Sequence, residues 1–243
     1  MKPEIDDNKV VIFTGAGISV SCGIPCFAGS DGLWGKYNVE EVCTRQGFEK
    51  NPSLVTEFYN NLKKQILNSK PSAAHKAIAE LERFYDVTVI TTNLDNYHEI
   101  AGSSNVIHVH GNLQYGKSHF HQDNKIFIGN RTINTNEQLD NIQLRHDVVF
   151  YGEYPENLEQ AKQEIKKASK ILVIGSSLSV SPSNTLLKHA RFRAEKAVVN
   201  ISPMRIPYGF KMYRGNANEQ VTSIVDRWIE QKEYKKSPEY RGA

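Results

Sequence analysis

Cysteine is scarce in this chain. Among 243 residues there are three, Cys22, Cys26 and Cys43, all in the first fifth. An odd, clustered trio is no disulfide framework and fits a reduced compartment. Charge of one sign is also lacking: 30 Lys and Arg stand against 27 Asp and Glu, a net +3. So small an excess gives no basis for bulk nucleic-acid binding. No run of eighteen apolar residues occurs, so no membrane-spanning helix is expected. The opening MKPEIDDNK has no apolar stretch of the kind a signal peptide carries. No internal repeat or low-complexity tract interrupts the chain. The expected location is cytoplasmic, with neither nucleic acid nor membrane as partner. What is present is ordinary for a folded protein: 39% apolar and 23% charged residues. The length buries a core without staples and allows one large domain, or a large domain carrying a small one.

Four short apolar runs stand out, at residues 10–13, 87–91, 171–174 and 197–201, with a weaker fifth at 106–109. Each is continuous rather than alternating, as expected of strands covered on both faces. Residues 52–67 place Leu54, Val55, Phe58, Tyr59, Leu62, Ile66 and Leu67 at helical spacing, and 73–84 repeat the pattern. Further helices are expected at 158–168, 184–193 and 219–231. Alternating strands and helices argue for a parallel sheet with helices on both faces. Two regions depart from this. Residues 112–143 are polar, rich in Asn, Gln and His, and too long for an ordinary loop; they read as an inserted module or a mobile flap. Residues 29–67 show about two helices where a return strand is due. A small second lobe built of insertions is therefore expected, at about 29–69 and 112–145. The large lobe is expected to take about 8–28, 70–111 and 146–235, with 1–243 forming a single domain.

The first strand runs into TGAGISVSCGIPCFAG. Strand, glycine turn and helix is the arrangement that cradles a pyrophosphate, because glycines let the backbone approach and a helix N-terminus offers free N–H groups. Gly15, Ala16 and Gly17 give two of the three fingerprint glycines, but the third position falls on Val20, so the strict pattern fails. A glycine turn without a ligand is an equal reading of this stretch alone. Three further patches add to it. TTNLDNYHEIAG sets Asn93 and Asp95 at the carboxyl end of a strand, where open α/β sheets bind ligands. VIHVHGNL puts His110 just past another strand. VIGSSLSVSP supplies a Gly175-Ser176-Ser177 turn, and VVNISP ends a strand on Asn200.

TGAGIS, GIP-x-F-x-G, GLW at 32–34, T-x-N-L-D-x-x-H-x-x-AG, VHG, VVFYGE at 148–153, GSSLSVSP and VVNISP occur here in the order seen in sirtuins, which the chain resembles from residue 10 to about 229. The resemblance implies a Rossmann-like doubly wound sheet, with NAD between it and a small second lobe. It implies an NAD-dependent protein deacylase that passes an acyl group from lysine to ADP-ribose and releases nicotinamide. On that pattern Gly15, Ala16, Gly17 and Ser19 line the phosphates. Gly175, Ser176, Ser177, Asn200, Ser202 and the turn at Asn216 and Ala217 hold the adenosine end. Ile24, Phe27, Thr92, Asn93 and Asp95 surround nicotinamide and its ribose. His110 is the general base, with Asn93 and Asp95 beside it as catalytic groups. A ribose hydroxyl must lose a proton, and an imidazole with an ordinary pKa of about 6.5 suits that step. Val148, Val149, Phe150, Tyr151 and Gly152 are expected to take an acylated-lysine peptide as an added strand.

The sequence departs from its relatives at Cys26, Ala28 and Thr92, where sirtuins usually carry Asp, Arg and Gln. Losing one charged hydrogen bond costs about 1.5–3 kcal/mol, so the expectation is weaker NAD binding or a loop ordered by other means. Cys26 is either a reactive thiol or a small buried residue. A larger departure lies at 112–143. Sirtuins usually hold a structural zinc there on four cysteines, and this stretch has none, so no metal is expected on thiolates. His119, His121 and Asp123 could offer imidazole and carboxylate, or be solvated. The lobe is then held by Tyr115, Phe120, Ile126, Phe127 and Ile128, or stays mobile. NAD hydrolysis, mono-ADP-ribosylation and a non-catalytic NAD sensor are the alternatives to deacylation.

Overall fold

The computed structural model describes residues 6–26, 37–121 and 123–236. The strands in chain order are β1 (Asp6–Thr14), β2 (Asp86–Thr91), β3 (Val106–His108), β4 (Gly111–Ser118), β5 (Lys125–Phe127), β6 (Gln138–Leu139), β7 (Ile142–Val148), β8 (Ala168–Ile174), β9 (Glu195–Asn200) and β10 (Lys211–Arg214). The helices are α1 (Val39–Val42), α2 (Arg45–Lys50), α3 (Pro52–Leu67), α4 (Ala73–Leu81), α5 (Tyr97–Ala101), α6 (Leu158–Lys167) and α7 (Ala217–Lys236). Six strands make one sheet in the order β10-β9-β8-β1-β2-β3, and every pairing in it is parallel.

The continuous apolar runs become strands buried on both sides, and their residues divide by parity. Val10, Ile12, Val87, Val89, Leu172 and Ile174 meet α4 and α7, where Ile78, Leu81, Val225 and Trp228 complete one core. Val11, Phe13, Ile90, Ile171 and Val173 face the other way, onto Leu158, Ala161 and Ile165 of α6. Sequence-readable caps set two helix starts: Asn51 accepts from Leu54 N–H ahead of Pro52, and Ser72 forms a capping box with His75.

The helix expected at 184–193 is instead a 3-10 helix, Ser183–His189. Its two buried leucines, Leu186 and Leu187, are adjacent, and the backbone turns extended at Ala190 (ψ 137), so the helix stops there; Phe192 is exposed. Strand β10 escaped notice in the sequence because it is a short, half-exposed edge.

Of the two readings of 112–143, the structure shows an inserted module, strands joined by turns. These residues fold, with the flanking residues, into an antiparallel sheet of order β5-β4-β7-β6. Of the side chains expected to hold it, Ile128 is buried and Ile126 half-buried. Phe120 and Phe127 are 59% and 70% exposed, and Tyr115 is exposed too. Tyr115 and Phe127 are cross-strand partners on the outer face, their rings 5.4 Å apart. One face is held by Ile128, Ile133 and Leu144; the face that carries Tyr115 and Phe127 also carries ions further along, since Lys117 stands opposite Lys125 and Arg145. Lys117 Nζ lies 3.2 Å from Asp147, Lys125 bridges Asp147 at 2.9 Å and also Glu156, and Arg145 meets Glu153 at 2.6 Å. Asn60 of α3 acts like a strand partner, donating to Ile133 O at 2.9 Å and accepting from Ile133 N–H at 3.0 Å. Helices α1 to α3 share a core with Ile24, Leu94, Tyr97, Leu113, Val148 and Phe150. Among the described residues no helix is long and apolar enough to cross a membrane.

Candidate active site

The site forms where the carboxyl ends of β1, β2, β8 and β9 converge. The chain leaves β1 through Gly15 and enters two short 3-10 turns, Ala16–Ile18 and Val20–Cys22. A tight backbone lattice fixes this loop. Gly15 N–H donates to Ile174 O at 3.0 Å, Gly17 N–H to Gly175 O at 2.9 Å, and Gly175 N–H to Val199 O at 3.0 Å. Glycine is required by this contact itself. A Cβ on Gly17 would sit 2.6 Å from Gly175 Cα, and one on Gly175, which also holds φ +60, would sit 2.5 Å from Gly17. The two glycine loops are packed backbone against backbone, so the spacing that resembled a phosphate cradle also serves the joint between β1 and β8.

Over this joint opens a cavity of about 560 Å³, within the size range of small-molecule sites. Gly15, Ala16 and Gly17 form one wall, and Gly175, Ser176 and Ser177 the next. Asn200 ends β9 and Ser202 follows it, Asn216 and Ala217 follow β10, and Thr92 and His110 close the remaining side. A second cavity of about 120 Å³ adjoins it and shares Thr92, His110, Tyr151 and Val180 with it. Val148, Val149, Phe150, Tyr151 and Gly152 all line this smaller space.

Four expected residues sit elsewhere. Ser19, Asn93 and Asp95 lie behind the glycine loop rather than on its wall. Asn93 Nδ2 donates to Gly15 O and Ser19 Oγ, both at 3.3 Å, and Ser19 Oγ donates to Asp95 at 2.9 Å. Tyr97 N–H also donates to Asp95, at 3.2 Å. Burial pushes the Asp95 carboxyl up to about 6, against these two hydrogen bonds, which work to lower it. Ile24 is buried in the core of α1 to α3, because its apolar side chain packs better there than against a wet cavity. Phe27, with Ala28 and the GLW motif, lies outside the described residues. Cys26 does line the large cavity, and burial raises its pKa, which keeps it a thiol.

His110 stands between the two spaces. Its carbonyl accepts from Val149 N–H at 2.9 Å, which ties the strand end to the 148–152 wall. Its Nε2 lies 2.8 Å from Ser183 Oγ. Burial pulls its pKa down to about 4, so the imidazole is neutral and has a lone pair to offer near pH 7. His108, two residues earlier, is held differently. Burial opposes its charge, but a 2.8 Å contact from Nε2 to Glu99 raises its pKa overall. His119 is buried against Phe48 and contacts Glu49 at 3.2 Å, while His121 is exposed.

Sequence reasoning missed Cys43, Tyr59 and Ser183. Cys43 Sγ and Tyr59 OH lie 3.1 Å apart beside the small cavity; burial pushes Cys43 up to about 11 and Tyr59 well above its ordinary value. Tyr59 reads as a residue of the helix at 52–67 and Cys43 only as one of three clustered thiols, and no local signal marks either. Ser183 was within reach, since it follows directly on GSSLSVSP.

A parallel sheet with interlocked glycine loops, and a neutral histidine between two adjoining cavities, defines a Rossmann-like nucleotide-binding protein. Within that class, the Sir2 family profile matches residues 15–182, and the chain belongs to the Sir2 family. It is 39% identical over 194 residues to an NAD-dependent protein deacylase of Aggregatibacter actinomycetemcomitans, covering 79% of this chain and 93% of that one. A Sir2 homologue variant solved with ADP-ribose superposes with a TM-score of 0.83 at 33% identity, covering 93% of each chain. A Sir2 variant solved with a deacetylated p53 peptide and 3'-O-acetyl-ADP-ribose gives 0.74 at 28% identity, covering 93% of this chain and 94% of that one.

Proposed function

We propose that this protein is an NAD-dependent protein lysine deacylase acting in the cytoplasm, with NAD in the large cavity and an acylated lysine in the small one. The observation that carries the reading is the place of His110, a lone imidazole on the wall shared by both cavities. The large cavity fits NAD in size and in chemistry. Its walls offer backbone N–H groups, hydroxyls and the Asn200 and Asn216 amides, and its described lining includes no Lys or Arg. NAD supplies a ribose whose bond to nicotinamide can be broken in favour of an acyl oxygen. Gly15, Ala16, Gly17, Ser176 and Ser177 would hold the phosphates and ribose through neutral donors. Asn93, Ser19 and Asp95 would act from behind, by holding the glycine loop in shape. His110 would take the proton from a ribose hydroxyl. The 148–152 wall would hold the peptide, with the lobes divided across this cleft. Glu153 is the charged residue in the small cavity's described lining. Arg145 holds its carboxyl ionised, below the usual glutamate range despite burial. With Glu153 already paired to Arg145 and no Lys or Arg in the described lining, an acidic acyl group finds no cationic partner there, which favours uncharged acyl groups.

The test measures nicotinamide release from NAD with and without an acetyl-lysine peptide, with the products weighed by mass spectrometry. Peptide-dependent release with O-acetyl-ADP-ribose is the expected result. His110→Ala is expected to lower it by about 10²- to 10⁴-fold. Release that ignores the peptide would replace this reading with NAD hydrolysis, or with ADP-ribosyl transfer if a protein gains the mass.

A further inference from the structure

Ser183 opens the 3-10 helix Ser183–His189 and is 1% exposed. Its hydroxyl nevertheless reaches the wall of the large cavity, with Oγ 2.8 Å from His110 Nε2. A buried hydroxyl needs a hydrogen-bond partner, and the imidazole supplies it. The hydroxyl is also firmly placed. Asn184 N–H donates to Val180 O at 3.0 Å, Asn184 Nδ2 to Leu178 O at 3.1 Å, and Leu178 N–H to Ser176 Oγ at 3.2 Å. The segment from Ser176 to Ser183 is thus cross-braced by its own side chains.

We infer that Ser183 is the positioning residue of His110: its hydroxyl fixes the plane of the ring and the tautomer in which the imidazole meets the ribose. The functional consequence rests on the deacylase reading; the geometry does not. A neutral imidazole has one donor nitrogen and one acceptor nitrogen. Once the hydroxyl settles the sense of its bond with Nε2, the role of Nδ1 follows. Histidines are often oriented by a carboxylate, as His108 is by Glu99, and a carboxylate raises the pKa of the ring it holds. Around His110, Thr92 and Leu94 follow β2, Tyr151 and Glu153 follow β7, Cys26 ends the glycine loop, and Cys43 and Tyr59 come from the α1 to α3 region. Burial is the perturbation that acts on the imidazole. A hydroxyl orients this ring without charging it, so the base stays neutral while its direction is set.

The test uses histidine labelled with ¹⁵N in the full chain without NAD, with the His110 signals assigned by their loss in His110→Ala. Wild type is expected to show ring-nitrogen shifts near the limit for a single tautomer. Ser183→Ala is expected to show intermediate shifts, and Ser183→Thr, which keeps the hydroxyl, to restore the limit. Ser183→Cys, similar in size with a weakly bonding thiol, gives the same reading should the alanine variant not fold. In the peptide assay Ser183→Ala is expected to lose about 10- to 100-fold in kcat, with KM for the peptide within twofold and activity regained in Ser183→Thr. Unchanged shifts together with unchanged kcat would overturn the inference and leave Ser183 a packing residue. A wild type inactive on acyl peptides but with the tautomer shift intact would overturn the functional reading alone.

Discussion

At the scale of single residues, the glycines at this site differ in what holds them. Gly17 and Gly175 are locked by contact, each with the other's backbone where a Cβ would go. Gly23 is constrained by conformation alone, with φ +85 and nothing nearer than 3.8 Å. Gly17→Ala is therefore expected to cost about 1–3 kcal/mol through overpacking, and to weaken nucleotide binding because the loop must part from β8. Gly23→Ala is expected to cost about 1–2 kcal/mol and leave nucleotide affinity nearly unchanged. Urea unfolding midpoints, paired with calorimetric titration of ADP-ribose, check both. A larger stability loss in Gly23→Ala together with a lost affinity would show that the second turn, not the joint, shapes the cavity.

At the scale of elements, the small antiparallel sheet rests on buried charge. Arg145, 1% exposed, bonds Glu153, donates to Val148 O at 2.7 Å and lies over the Phe150 ring at 4.2 Å. Glu153 in turn accepts from Phe150 N–H at 3.0 Å. This cluster ties β7 to the wall of the small cavity, so stability and substrate binding are coupled there. Arg145→Met strands a buried carboxylate and is expected to destabilise by about 3–5 kcal/mol, with a raised KM for the peptide. Replacing Arg145 and Glu153 together by Met and Gln is expected to recover part of the stability, since both buried charges go together and Arg45, which also pairs with Glu153, is half-exposed. Thermal melts of the two variants decide it. Because 112–143 offers no thiolate and its sheet is held by ion pairs, prolonged treatment with a zinc chelator is expected to leave both the melting temperature and the activity unchanged. A drop in either would reveal a metal.

At the scale of the whole molecule, buried histidines set the acid limit. Burial holds His75 down at about 4 and His146 at about 3, and His98 is lowered well below its ordinary value. Each is neutral in the fold, whereas in the unfolded chain it takes a proton near pH 6.5. The unfolded state therefore binds more protons below that pH, and stability falls as pH drops from about 6.5 through the folded values. Asp95 works the other way. Its folded value of about 6 exceeds the ordinary 3.8, so it lowers stability as pH rises across that window. With His110, also held at about 4, these histidines outweigh one carboxyl, and the melting temperature is expected to decline steadily from pH 6.5 to 4. A flat profile there would mean that these rings are charged or wet in the fold. ADP-ribose at a hundred times its Kd is expected to add about 2.7 kcal/mol at neutral pH, and a melt with and without it measures that.

The sequence by itself determined the sheet. Runs such as VVIF and ILVI are continuous and β-branched, and only burial on both faces suits them, so β1, β2, β8 and β9 were readable from residue type. Helix α3 was readable from the period of its apolar residues. The glycine loops, His110 and the VVFYGE wall were readable as short motifs at strand ends. Only the tertiary structure decided how these parts meet. It set Asn93, Ser19 and Asp95 behind the loop and brought Cys43 and Tyr59 to the small cavity. It buried Lys117, in a stretch that reads as an inserted polar module, against Asp147 beyond it, and it laid Ser183 against His110. The physical reason is one of range. Strand and helix patterns arise from neighbours a few residues apart. An ion pair, a hydroxyl on an imidazole or the wall of a cavity joins residues far apart in the chain, and their local sequence is the same whether or not they meet.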